Sequence, residues 1–311
     1  MSVVNDSMVW LSGSKGTVGF TSNGGKTWNW HNVQNFEKSD FRSIYAFDAE
    51  NVVIASAGTP AVILLTNNGG KTWEQKYFSN DSAMFFDGID FWNDNHGIIF
   101  GDPVKGRMYL SETFDGGKTW IEIPFIQRPQ LENDEAAFAA SGTTIQCVGK
   151  KDVWIATGGL VSRVWHSTNG GHKWMAMKTP IIQGKPSTGI FSIKVIFKTN
   201  VVIVGGDYAN DTVSKNNCFY SDDKGNYWSK LVFFPHGYKS CIELMYFEKY
   251  SWWICTGTSG TEILDRGGWR KIGEGYNTVK QSKKSGTVYF CGGNGRIGKL
   301  NIEGWNYITH P

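Results

Sequence analysis

The chain has 311 residues, 40% of them apolar and 19% charged, which is enough apolar material for a sizeable core and too little charge for a disordered chain. Its net charge of +3, from 31 basic and 28 acidic residues, provides no electrostatic footprint for nucleic acid or an acidic membrane. Glycine, at 38 residues, far outnumbers proline at 8, and aromatics reach 14%; this mixture suits short strands joined by tight turns and argues against a helical bundle.

In chain order, the first element is the apolar strand Val9-Trp10-Leu11-Ser12-Gly13, followed at residues 21–28 by TSNGGKTW. The pair then recurs. Val52-Val53-Ile54-Ala55-Ser56 precedes TNNGGKTW at 66–73, and Gly97-Ile98-Ile99-Phe100-Gly101 precedes TFDGGKTW at 113–120. Val153-Trp154-Ile155-Ala156-Thr157 precedes STNGGHKW at 167–174, and Val201-Val202-Ile203-Val204-Gly205 precedes SDDKGNYW at 221–228. The boxes thus open at Thr21, Thr66, Thr113, Ser167 and Ser221. Two further strands, Trp252–Thr256 and Val288–Gly292, lead to a shortened box at Leu264–Trp269 and to Gly295–Leu300, where the box is lost. The longest insertions, near Gln127–Asp134 and Gly184–Ser187, are polar, contain proline and read as surface loops.

Periods of about 40–50 residues with several short strands per unit predict an all-β, seven-bladed β-propeller spanning residues 1–311 as a single domain. In the first four boxes an Asn or Asp directly before glycine suits a turn that needs φ > 0. The polar side chains of Asn23, Asn68, Asp115, Asn169 and Asp223 are placed to bond nearby backbone N–H groups. Trp28, Trp73, Trp120, Trp174 and Trp228 open the next strand and are expected to wedge between blades. These ten residues are therefore assigned to structure.

Such boxes resemble the Asp-box, or bacterial neuraminidase repeat. The longer unit, with pairs such as Gly13-Ser14-Lys15-Gly16 before the first box and Gly293-Asn294-Gly295 in the last unit, resembles the photosystem II stability/assembly factor-like family. That likeness runs from about Val9 to Leu300 and implies a bacterial, exported, non-catalytic member that binds a protein or polar ligand at its channel mouth. Arg42 is the residue placed to match the arginine-bearing face implicated in partner binding in that family.

Enzymatic readings find less support. Gly293-x-Gly295-x-x-Gly298 has the glycine spacing of a dinucleotide fingerprint, but a strand and not a helix follows it, and no acidic ribose ligand can appear before Pro311. A sialidase needs an arginine triad on the substrate carboxylate; of seven arginines only Arg42, in Phe41-Arg42-Ser43-Ile44, stands in a suitable place. A glycoside hydrolase using a carboxylate pair from distant blades is the alternative, with Asp87, Asp102, Glu135 and Asp207 as its acids. The six histidines form no metal-ligand spacing, and no nucleophile elbow occurs. No cofactor or metal is expected.

The innermost strands are expected at Phe41–Ile44, Phe86–Ile89, Glu135–Phe138, Phe191–Ile193, Tyr238–Cys241 and Tyr276–Val279. A ring of Arg42, Asp87, Asp102, Glu135, Asp207 and Lys239 would then surround the mouth and bind a protein partner or glycan. Blade one has few residues before Val9 and is expected to lack a complete inner strand, so either a segment preceding Met1 is missing, with an export signal, or the C-terminal Trp305–Ile308 helps close the ring. Widely spaced cysteines without C-x-x-C predict neither disulfides nor a zinc ribbon. No apolar run approaches the length of a membrane-crossing helix, so no transmembrane helix is expected. No secretory signal follows Met1, and the expected state is a monomer.

Overall fold

In the computed structural model, residues 1–230, 233–247, 249–282 and 286–300 are described. They form seven antiparallel sheets arranged as a ring of blades. Blade one contains Ser2–Val3, Val9–Ser12, Thr17–Thr21 and Asn29–Asn32; blade two contains Phe41–Ala46, Val52–Ser56, Ala61–Thr66 and Glu74–Ser79. Blade three is Phe86–Phe91, Gly97–Val104, Arg107–Thr113 and Ile121–Glu122. Blade four is Ile145–Val148, Asp152–Ala156, Arg163–Ser167 and Met175–Lys178. Blade five is Thr188–Ile196, Asn200–Asp207, Cys218–Ser221 and Ser229–Lys230. Blade six is Cys241–Phe247, Tyr250–Gly257, Gly260–Asp265 and Gly268–Gly273, and blade seven shows Thr278–Gln281, Val288–Cys291 and Ile297–Lys299.

One inner strand differs from expectation. Blade four begins at Ile145–Val148, not at Glu135–Phe138. Glu135–Ala136 instead pairs with Gly158–Gly159, and this small ribbon joins the edge of blade five. The longer spacing to the fourth box reflects the extra chain inserted before the true inner strand. At the N-terminus, Ser2–Val3 pairs with Val9–Trp10 and takes the inner position of blade one. Trp305–Ile308 lies outside the described residues.

Both faces of each blade are apolar, so each buries itself against a neighbour. The core is accordingly divided into clusters, one at each blade interface. Trp10, Phe41, Ile54 and Leu64 lie between blades one and two, and Val53, Ile63, Phe86 and Tyr109 between two and three. The ring closes where Met1, Val9 and Leu11 meet Tyr289 of blade seven. Tyr289 also donates its hydroxyl hydrogen bond to the Asp6 carbonyl. The box tryptophans pack on these clusters: Trp28, Trp73, Trp120, Trp174 and Trp228 each meet the preceding blade.

The box is a closed hydrogen-bond unit. Its first hydroxyl accepts from the second glycine, as Thr21 does from Gly25 at 3.0 Å and Thr113 from Gly117 at 2.9 Å. Its Asn or Asp accepts from the N–H four residues on, as Asp115 does from Thr119 at 2.9 Å. Gly24 and Gly25 adopt φ of 71° and 82°, where a side chain is strained. Each turn then donates to the loop between its blade's first two strands: Gly24 to Ser7, Gly69 to Glu50, Gly116 to Asn95, Gly170 to Lys151 and Lys224 to Thr199, at 2.9–3.1 Å. All five boxes therefore lie on one face of the ring.

Asp115 also accepts from the Thr119 hydroxyl at 2.6 Å. Asp115→Ala is expected to lower unfolding stability by about 1–3 kcal/mol, the cost of orphaning hydrogen bonds to a charged acceptor. Asp115→Asn should retain most of that stability, because asparagine fills the same position at Asn23, Asn68 and Asn169. Urea unfolding midpoints check both.

Candidate functional site

Strand register places one residue of each inner strand in a common row. Ser2, Tyr45, Asp90, Gln146, Lys194, Leu244 and Lys280 stand opposite Trp10, Val53, Ile98, Trp154, Val202, Trp253 and Tyr289. All seven line a central cavity of about 800 Å³. The cavity runs along the later halves of the inner strands, toward the face that carries the boxes.

Several of these polar side chains tie one blade to the next. Ser2 Oγ accepts from the Ala46 N–H at 3.0 Å. Asp90 Oδ2 accepts from the Cys147 N–H at 2.7 Å. Gln146 accepts from the Val195 N–H at 2.7 Å and donates to the Val195 carbonyl at 3.1 Å. Gln281 treats Tyr246 in the same way, at 2.8 and 2.7 Å. A side-chain amide thus supplies both halves of a strand pairing between neighbouring inner strands, which belong to separate sheets. Lys194 and Glu243 add an ion pair between blades five and six.

The opposite mouth is crossed by the inserted chain. Ala137 donates its N–H to Asp102 of blade three at 3.4 Å, and Phe138 stacks on Phe191 of blade five with centroids 3.8 Å apart. Gly142 lies beside the Arg42 carbonyl of blade two. Thr143 donates to Ser192 at 2.7 Å and accepts from the Ile193 N–H through its carbonyl at 2.9 Å. Gly142 and Thr143 also line the cavity, so the insertion forms its floor.

The six ring residues read from the sequence all lie on this plugged side, and they do not form an open ring. Arg42 is exposed and paired with Asp40 at 2.8 Å. Glu135 is buried, bonded along its carboxylate by Arg163, Thr157 and Trp165. Lys239 is fully buried on Glu262 at 2.6 Å, with Ser259 and the Gly260 carbonyl as further partners. Asp207 is buried and accepts from the Ala209 N–H at 3.0 Å. Asp87 is fully buried, and neither carboxylate oxygen has a hydrogen-bond partner. Burial, then the nearby Asp102, push its pKa far above the usual aspartate range, while Arg42 pulls it back. Burial likewise raises Asp102 to about 6, opposed by its bond from Ala137.

Sequence reasoning missed the row that lines the cavity. The available signal was a polar residue at the same place in otherwise apolar inner strands, as with Gln146 and Lys194.

Residues 1–82 match the family model described as photosynthesis system II assembly factor YCF48. The structure of YCF48 from Cyanidioschyzon merolae aligns at 16% identity and TM-score 0.58, covering 97% of this chain and 94% of that one. The family match thus covers the first two blades, and over the rest of the chain the likeness is one of propeller fold. The Niastella koreensis GH74 enzyme aligns at 15% identity and TM-score 0.52 over 96% of this chain, which spans only 43% of that enzyme. A structure titled YCF48 bound to D1 peptide aligns at 16% identity, covering 84% of this chain and 90% of that one, with a TM-score of 0.41. At these identities the structural likenesses establish the fold alone. No curated protein matches the chain by sequence. Among the described residues, no His, Cys, Asp or Glu cluster suits a metal ion, and no helix is long and apolar enough to cross a membrane.

Two outcomes follow from the plugged side. Lys239→Ala leaves Glu262 buried without its cation and is expected to destabilise the fold by about 3–5 kcal/mol, read as a fall in the urea midpoint. A carboxyl whose pKa is higher folded than unfolded keeps its proton in the native state between the two values. Stability is therefore greatest below the ordinary value near 3.8 and falls as pH rises from there, toward about 6 for Asp102 and further for Asp87. Asp87→Asn, which removes the ionisable group, should leave the melting temperature nearly unchanged at pH 4 and raise it at pH 8.

Proposed function

We propose that this chain is a non-catalytic binding propeller whose protein partner seats at the open mouth on the box face. The observation that carries this reading is the central cavity of about 800 Å³, walled by all seven inner strands and floored by the inserted segment. Its size suits a short protein segment or a group of side chains. Its polar wall is spent on holding blades together, with Gln146, Gln281, Ser2 and Asp90 bonded to neighbouring backbone. Those groups give the mouth a fixed shape, and rigidity favours binding by limiting the ordering cost on association. The family matched over residues 1–82 is described as an assembly factor, which agrees with a binding role.

The glycosidase alternative asks for two carboxyl groups about 5–10 Å apart and open to solvent. Asp87, Glu135 and Asp207 are each buried to within 3% exposure, and none of the four proposed acids lines the cavity. This favours a scaffold over hydrolysis.

The test is capture of partners from the native host by wild type, by Tyr246→Ala with Lys280→Glu at the cavity, and by Arg42→Ala on the plugged side. A partner lost in the cavity variant and retained by Arg42→Ala supports the reading. Loss in Arg42→Ala alone would move the binding face to the other mouth.

A further inference from the structure

The box turns are bonded to the loops between first and second strands, so these loops form the inner rim around the cavity. Their charge is divided. On blades one to three they carry Asp6, Asp48, Glu50 and Asp94, with no lysine or arginine. On blades four and five they carry Lys150, Lys151 and Lys198, with no acid. Asp48, Glu50, Asp94 and all three lysines are exposed, and none belongs to an ion pair among the described residues. The lysines of the first three boxes, Lys26, Lys71 and Lys118, stand on the box turns and not on these loops.

On the cavity wall Asp90 stands on blade three, while Lys194 of blade five is paired with Glu243 of blade six, which also lines the wall. Lys280, on blade seven, also lines it and has no ion pair among the described residues. Lys198 lies against Gly149, which gathers the positive charge of blades four and five. Phe197, 81% exposed, and Tyr246, 49% exposed, offer apolar contacts on and beside the basic arc. At physiological ionic strength charges act over about 8 Å, so a segment laid on the loops meets the charges of the nearest loops first.

We propose that this rim recognises a bipolar protein segment, laid across the cavity with its basic end on blades one to three and its acidic end on blades four and five. The inference rests on the reading of the box-face mouth as the partner's seat. A segment of one sign would meet its own charge on one arc of the rim, and so would a polyanion such as nucleic acid or an anionic membrane. Opposed charge at two ends also fixes the direction in which the segment lies, because like-charge juxtaposition disfavours the reversed pose.

Two synthetic peptides test this, each about twelve residues and roughly 40 Å when extended. One has a lysine block at one end, a glutamate block at the other and aromatics between; its partner has the same composition with alternating charges. Fluorescence anisotropy with the full chain should show the block peptide binding about tenfold or more tightly, a difference of about 1.4 kcal/mol, with the advantage shrinking as salt is raised. Asp48→Lys, Glu50→Lys and Asp94→Lys together should abolish the preference, as should Lys150→Glu, Lys151→Glu and Lys198→Glu together. Combining all six should restore it, since the peptide then binds in the reverse direction, whereas a folding defect would not be rescued. Equal binding of both peptides, or indifference to both triple variants, overturns the bipolar rim. A host partner lost in the Tyr246→Ala, Lys280→Glu variant but unaffected by both triple variants overturns it too, while leaving the cavity as the seat.

Discussion

Each blade of this ring is apolar on both faces, and neither face can be left to water. Everything else in the structure follows from covering those faces. Seven blades give seven interfaces, and the buried clusters fall one to each, ending with Met1, Val9 and Leu11 against Tyr289. Because no blade can bury itself alone, the ring stands or falls with each contact between neighbours. The Asp-box serves this need: it holds a tryptophan against the preceding blade and clamps its own turn to the inner rim.

Near the axis a different constraint takes over. Inner strands converge there but do not pair, so backbone groups would face the channel unsatisfied, which is costly. Side chains from the next blade fill the gap. Gln146 and Gln281 imitate a strand partner, while Ser2 and Asp90 supply single acceptors. The same residues that wall the cavity are therefore the ones that hold its diameter. A partner meets a surface whose shape was settled by folding.

The fold was largely legible. The repeated boxes, their near-regular spacing and the apolar strands before each of them located the blades, because turn chemistry and strand alternation are local properties. The site was less so. In the expected ring, Arg42, Asp87, Glu135 and Lys239 came from assigning charged residues to inner strands by counting from the repeat, and Asp102 and Asp207 from the ends of the next strands in blades three and five. The count slipped in blade four, where inserted chain displaces the strand to Ile145. Lys239 and Glu135 were visible as charges, but their partners, Glu262 and Arg163, stand on later strands and meet them only after folding. The near-neutral total charge, a sum over 31 basic and 28 acidic residues, carries no information on where on the surface each sign stands.

The segment that crosses the far mouth has a consequence for traffic. With Phe138 laid on Phe191 and Thr143 fastened to Ser192, the ring is a cup and not a tube. Whatever enters from the box face must leave the same way, and a polypeptide cannot be threaded through. A loop or a chain end can lodge there, but a continuing strand must double back at the rim. Under the proposed function, such a cup holds its partner and releases it by the same mouth.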